Sequence, residues 1–284
     1  MSTISPVIDD LIILTRATCH QFIDLMIDAA IKTVPANARQ LIYPLEQNDK
    51  GTHVRRVSEQ EARFAYVHAL SGGIATLLNQ KYYYSVETPT RANYTFDKPI
   101  ADIRCYPKQD DGTRARVDMT LYTAEGHTLQ KQCHIEFKEN HDPHSVTTDI
   151  VKLVTETALE EEAYKPNSIV SHKFQLIENA DAKTMQTIFK KCAVAFENVD
   201  KNILSCLPLQ PSLSILFSFY ILDTAYPNGP WGCYKQFQSD PSACSLSDYA
   251  TRFFYWGEKP LAPVGREKDC HVINHINSLG WTIF

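Results

Sequence analysis

The segment RVDMTLYTAEGHTLQKQCHIEFKEN, Arg116 to Asn140, puts an acid, Asp118, on one extended run and Glu136-x-Lys138 on the next. Side chains alternate across a strand, so Ala115, Val117, Met119 and Leu121 share one face while Arg116, Asp118, Thr120 and Tyr122 share the other. The second run repeats the design, with Cys133, Ile135 and Phe137 opposed to His134, Glu136 and Lys138. A turn near Gly126 or His127 sets Asp118 across from His134 or Glu136, and cross-strand geometry then brings the two carboxylates to about 5–8 Å. Such a pair suits a shared metal ion or one side of a metal pair. A plainer reading is an antiparallel sheet with one solvated face, which alternates in the same way.

The surrounding chain supplies elements that can hold this hairpin. Ser58 and Glu61 have the spacing of a capping box and open a helix, SEQEARFAYVHAL, that ends at the Ser71-Gly72-Gly73 break. KYYYSVETP reads as a strand closed by Pro89, and IADIRCYP as another. After the hairpin, HSVTTDIVKLVTETALEEEAY is helical, with Ile150, Leu153, Val154, Thr157 and Ala158 on one face. HKFQLIEN and SLSILFSFYILD read as strands on either side of a helix, AKTMQTIFKKCAVAFENV. Upstream, Val7 to about Val34 is a helix with a broad apolar face stopped by Pro35, suited to packing on the core or to a dimer seam.

An Asp on one strand, Glu-x-Lys on its hairpin partner (VD at Val117-Asp118, IEFK at Ile135 to Lys138) and a preceding helix that offers a Glu resemble the PD-(D/E)XK nuclease superfamily. The resemblance covers roughly Val57 to Tyr164, and Val117 stands where the superfamily's name has proline. It implies an α/β (α+β) fold: a central mixed β-sheet flanked by helices, a restriction endonuclease-like core with an N-terminal helix and an irregular C-terminal extension. It also implies a single domain, with the N-terminal helix and basic loop over 1–56, the core over 57–223 and the extension over 224–284. Asp118 and Glu136, with the Phe137 carbonyl, are then ligands of Mg²⁺ or Mn²⁺, and Lys138 serves the attacking water and the phosphate. Glu61 is the helix-borne acid that completes the site, unless it only closes the capping box, with Glu59 as the fallback and His68 on the same face. Lys152, one turn after Asp149, is a phosphate contact or else half of a surface ion pair. The expected activity is that of a metal-dependent DNA endonuclease of restriction or defence type, DNA ahead of RNA, with a homodimer as the candidate assembly. The alternatives are a catalytically inactive nucleic-acid-binding or partner-binding protein of the same fold, and a structural module whose hairpin is merely amphipathic.

Two other clusters are weaker candidates. His141, Asp142 and His144 sit in a short Pro-containing loop without further ligands in register, and Cys270, His271 and His275, with Cys233 and Cys244 upstream, lack finger-like spacing. The aromatics Trp231, Tyr234, Phe237, Phe253, Phe254, Tyr255, Trp256 and Trp281 could stack on bases but read first as the core of a small lobe, because large aromatics dominate cores.

A formal charge of -5 argues against coating nucleic acid by charge alone. The charge is uneven, however: Lys50 to Arg116 carries 11 Lys and Arg against 7 Asp and Glu, and leads directly into the hairpin. Asp9, Asp10, Arg16, Asp24 and Asp28 interrupt the N-terminal apolar stretch, so neither a signal peptide nor a membrane span is expected. The eight cysteines form no C-x-x-C pair, which suits reduced thiols in the cytoplasm.

Overall fold

The computed structural model describes residues 6–28, 45–47, 53–55, 58–96, 106–108, 112–139, 142–159, 170–178, 181–202, 213–222, 231–238, 245–257 and 268–284. In chain order these form helix α1 (Pro6–Asp28), strands β1 (Leu45–Gln47) and β2 (His53–Arg55), helix α2 (Glu59–Ser71) with a 3₁₀ turn after it, β3 (Tyr83–Thr95), β4 (Tyr106–Lys108), β5 (Thr113–Glu125) and β6 (Thr128–Glu139). There follow α3 (Pro143–Leu159), β7 (Val170–Glu178), α4 (Ala182–Asn202), β8 (Ser214–Leu222), β9 (Trp231–Gln238), α5 (Leu246–Phe253), α6 (Lys268–Ser278) and β10 (Thr282–Ile283). Eight strands make one mixed sheet in the order β10-β9-β8-β7-β6-β5-β3-β4, so the chain is an α/β protein.

The hairpin forms at the expected turn. Gly126, at φ 61, is followed by His127 between the paired residues Glu125 and Thr128. A glycine with positive φ at the first of two loop positions is what a II′ turn needs, and its twist matches the strands. β6 and β7 are parallel, as are β7 and β8, with α3 and α4 as the crossovers.

Alternation sends each strand's two faces to different helices. Met119, Leu121, Ile135, Phe137, Phe174 and Leu216 pack against α1 and α2. Ile215, Phe217, Phe219 and Ile221 point the other way, into a cluster with Ile150, Val154, Ile188, Phe189 and Phe196 from α3 and α4. Leu11 and Leu14 of α1 are fully buried in the chain's own core, each worth roughly 1.5–3 kcal/mol. The described part of the N-terminal apolar face is therefore covered from within, which removes the reason to assign it to a dimer seam.

Three expectations change. The strand expected to stop at Pro89 continues to Thr95, because a register shift between Pro89 and Asn93 accommodates the missing N–H. Glu156 of α3 supports this bulge, accepting from the Arg91 and Ala92 N–H groups at 2.7 and 3.1 Å. The polar hairpin face is not solvated either: Thr120, His134 and Glu136 are all buried, with α3 packed on β5, β6 and β7. Finally, the C-terminal extension is regular where described, since β9 pairs with β8, and Trp231, Phe237, Phe253, Phe254, Trp256 and Trp281 join the core beside α4.

Candidate active site

The last ladder pair of the hairpin toward the site is Met119 with Ile135, and one residue beyond it stand Asp118 and Glu136. Asp118 Oδ2 accepts the Phe137 N–H at 2.8 Å, so its carboxylate is held at the strand segment that carries Glu136 on one side and Lys138 on the other. The Phe137 ring turns to the opposite face, 5.2 Å from the ring of Tyr66. The parallel neighbour β7 adds Lys173 beside Glu136 and Gln175 beside Lys138.

Helix α2 brings two more charged groups. Arg63 donates from Nη2 to Asp118 Oδ1 and from Nη1 to Glu87 Oε1, both at 2.8 Å. Glu87 holds φ at 50, the left-handed region that costs a side-chain-bearing residue of order 1–3 kcal/mol, and does so where β3 runs beside Asp118. Glu59, in the first turn of α2, accepts from Lys138. Glu61 does not reach the site: its Oε2 accepts the Ser58 N–H at 2.8 Å and the Ser58 hydroxyl, closing the capping box. The helix-borne acid at the site is therefore Glu59, because the cap captures Glu61. His68 is exposed in the last turn.

Helix α3 supplies the centre of the charge network. Asp149, buried, lies 2.6 Å from Lys173 Nζ, 3.4 Å from Lys152 Nζ and 3.5 Å from Lys138 Nζ. Lys152 is 2.6 Å from Glu136 Oε1 and donates to the Arg116 carbonyl at 3.1 Å. Its ammonium is thus committed to three protein oxygens, and this arrangement does not present it to a substrate phosphate. The i,i+3 pairing with Asp149 is present, but in the interior.

Burial pushes the Glu136 carboxyl well above the usual carboxylate range; Asp149 and Asp118 add to this while Lys152 pulls the other way. Burial alone would raise Asp149 too, but Lys173, Lys152 and Lys138 together hold it below its ordinary value. Lys138, disfavoured by burial, is nevertheless raised by Asp149, Glu59 and Asp118. A lysine held cationic in this way stabilises negative charge and is a poor base for an attacking water.

The donor chemistry fits the implied Mg²⁺ or Mn²⁺. Asp118 and Glu136 offer hard carboxylate oxygens from adjacent strands, and Glu136 is a buried acid whose ionised form gains from a cation. Each is paired with a cation of the chain, Arg63 or Lys152, which an ion would have to displace. Among the described residues no group of three or more His, Cys, Asp and Glu side chains is arranged to hold a metal. Asp142 instead caps α3, its Oδ1 accepting the His144 N–H, and His141 lies outside the described residues. Cys233 is buried in β9 and His275 Nε2 meets the Trp256 carbonyl at 2.7 Å, while the side chains of Cys244, Cys270 and His271 lie outside the described residues.

Arg63, Glu87 and Lys173 were not visible as site residues, though signals existed. Glu59 and Arg63 are four apart on one helix and share a face. Ser171, Lys173 and Gln175 alternate along a strand between two parallel neighbours, where both faces are normally apolar. Among the described residues no helix is long and apolar enough to cross a membrane. Comparison of the chain with protein-family models, curated proteins and solved structures returns no match, so its function is read from its own residues.

Proposed function

We propose that the chain is a metal-dependent nuclease of the PD-(D/E)XK type, hydrolysing phosphodiester bonds in DNA. The observation that supports this most is the Asp118 carboxylate fixed on the Phe137 N–H, at the strand segment that carries Glu136 and Lys138. The helix, strand, hairpin and helix on which the resemblance rests are present as α2, β3, β5–β6 and α3.

In this reading Asp118 and Glu136 hold Mg²⁺ or Mn²⁺, which when bound supplies a water activated near neutral pH and Lewis-acid polarisation of the phosphate. Lys138, held cationic, would offset negative charge developing on the phosphate. Glu59 and Asp149 hold that ammonium from two sides, and the Phe137 N–H fixes the Asp118 carboxylate. Asp149, buried among them, keeps Lys138, Lys152 and Lys173 in register.

The charge balance favours one second reading. Glu59, Glu87, Asp118, Glu136 and Asp149 face Arg63, Lys138, Lys152 and Lys173, so the cluster nearly neutralises itself without an added ion. A non-catalytic nucleic-acid-binding or partner-binding protein of this fold would keep such a network for stability.

Cleavage of plasmid, linear duplex, single-stranded DNA and RNA by wild type and Glu136→Gln, with Mg²⁺, Mn²⁺ or EDTA, separates the two. Cutting that needs metal and falls at least about 10²-fold in the variant upholds the nuclease. No cutting by folded wild type under any of these conditions selects the second reading.

A further inference from the structure

Large aromatics dominate cores, and most of the C-terminal aromatics are core. Tyr255 is the exception, 62% exposed between the buried Phe254 and Trp256. Beside it lies a groove of about 930 Å³ between α4 and the end of α5, whose rim carries Lys183, Lys190 and Lys191. The fold thus brings three lysines of α4 to the exposed ring.

Residues at α4 spacings of three and four share a face, and Lys183, Thr187, Lys190, Lys191 and Val194 all line the groove. Met185, Ile188, Phe189, Cys192 and Phe196 occupy the opposite, buried face. From Ala182 to Phe196 the helix has three lysines and no acid, while the chain as a whole carries -5. Lys183 and Lys190 are seven residues apart, roughly 10 Å along the axis, far enough to meet different phosphates of one strand. The aromatic rim is rigidly held. Trp256 packs edge-on against Phe189 at 5.3 Å and its carbonyl meets His275 Nε2 at 2.7 Å. Gly257, at φ 79, follows directly.

We infer that this groove binds single-stranded nucleic acid, with the phosphates along the α4 lysines and an unpaired base stacked on Tyr255. An exposed ring beside a row of cations, in a groove with no carboxylate among its described lining residues, has the composition of a single-strand track, and a duplex has no free base face to offer the ring. The inference deepens the nuclease reading and rests on it, giving that site a substrate with an unpaired segment. The topology agrees. α3 and α4 both begin beyond the carboxyl ends of the parallel strands β6 and β7, the edge of the sheet where Lys138 stands, and Thr147 Oγ1 of α3 meets the Lys191 carbonyl at 3.4 Å.

The test is equilibrium binding of a fluorescent oligo-dT and of a matched duplex in EDTA, over a range of salt, so that affinity is read without cleavage. Wild type should prefer the single strand. Lys183→Gln with Lys190→Gln should lower the slope of log K against log salt by about 1.4, at roughly 0.7 per lost phosphate contact. Tyr255→Ala should weaken binding about 5- to 150-fold with the slope unchanged. Lys201→Gln, on the same helix outside the groove, should change neither. No oligonucleotide binding by wild type, an unchanged slope in the lysine pair, or an acidic peptide that competes equally and ignores Tyr255→Ala would each overturn the groove assignment. Groove variants that bind and cut like wild type would remove the groove and leave the nuclease standing. Groove-dependent binding without metal-dependent cutting would do the reverse.

Discussion

Replacing Asp149 by Asn should be among the most damaging single changes in the molecule, and one that a second change repairs. Lys173 has no exposed surface, and its Nζ lies 2.6 Å from Asp149 Oδ2. Asn preserves the shape but removes the countercharge, leaving a lysine enclosed without its partner, at a cost of about 3–5 kcal/mol. That is a large share of the roughly 5–15 kcal/mol available to a folded domain. At about 2–4 °C per kcal/mol it lowers Tm by about 6–20 °C. Lys173→Met leaves Asp149 with Lys152 and Lys138, at 3.4 and 3.5 Å, and should cost less. In Asp149→Asn with Lys173→Met both buried charges are gone, and replacing such a pair by neutral groups is often nearly neutral. Urea denaturation of the four proteins gives the interaction energy, expected at about 2 kcal/mol or more in favour of the double variant. The pH dependence adds a check. Asp149 is depressed when folded, so its contribution is present above the ordinary carboxyl value near 3.9 and is lost as pH falls through the lower folded value. Asp149→Asn should therefore differ less from wild type in strong acid. An Asp149→Asn cost below about 1 kcal/mol, or a double variant equal to the sum of the singles, would refute the reasoning.

Other outcomes follow from the same geometry. His172 is fully buried between Thr15 and Ser218, and burial pushes it down to about 3, so it folds neutral. Its contribution is present above about 6.5 and is lost as pH falls toward 3, roughly 4–5 kcal/mol in all, so His172→Asn should flatten that limb of the stability-pH curve measured in urea. Glu136 has the opposite sign: raised when folded, it favours folding below the usual value near 4.3 and loses that contribution as pH rises through its folded value. Glu136→Gln should gain stability relative to wild type as pH rises, which thermal melts in EDTA across the pH range read. Glu61→Ala should cost about 0.5–2 kcal/mol in thermal melts through the lost cap and leave cleavage intact, whereas Glu59→Ala should slow cleavage by releasing Lys138.

The hairpin was the most legible feature because three signals agreed on it: period-two alternation, Gly126-His127 at a two-residue turn, and apolar flanks that fix the register. Alternation alone put Asp118 on the face of Glu136. What covered that face was less legible. α3 presents Asp149, Lys152 and Glu156 toward the sheet among Ile150, Leu153 and Val154, and a pattern read for apolar residues assigns the polar ones to solvent. Glu61 and Glu59 were separable only by the geometry of Ser58, since the same spacing served a cap and a site. The groove depends on α4 meeting a segment some sixty residues later, a pairing that no local composition encodes.

The most direct measurement is single-turnover cleavage of the preferred DNA in Mg²⁺ or Mn²⁺ by Asp118→Asn, Glu136→Gln and Lys138→Met, with Glu61→Ala as control and thermal melts to confirm that each is folded. Loss of about 10²-fold or more in the first three, with the control near wild type, is the expected result. Any of the three cutting at the wild-type rate while folded would contradict the assignment of the hairpin as the catalytic centre.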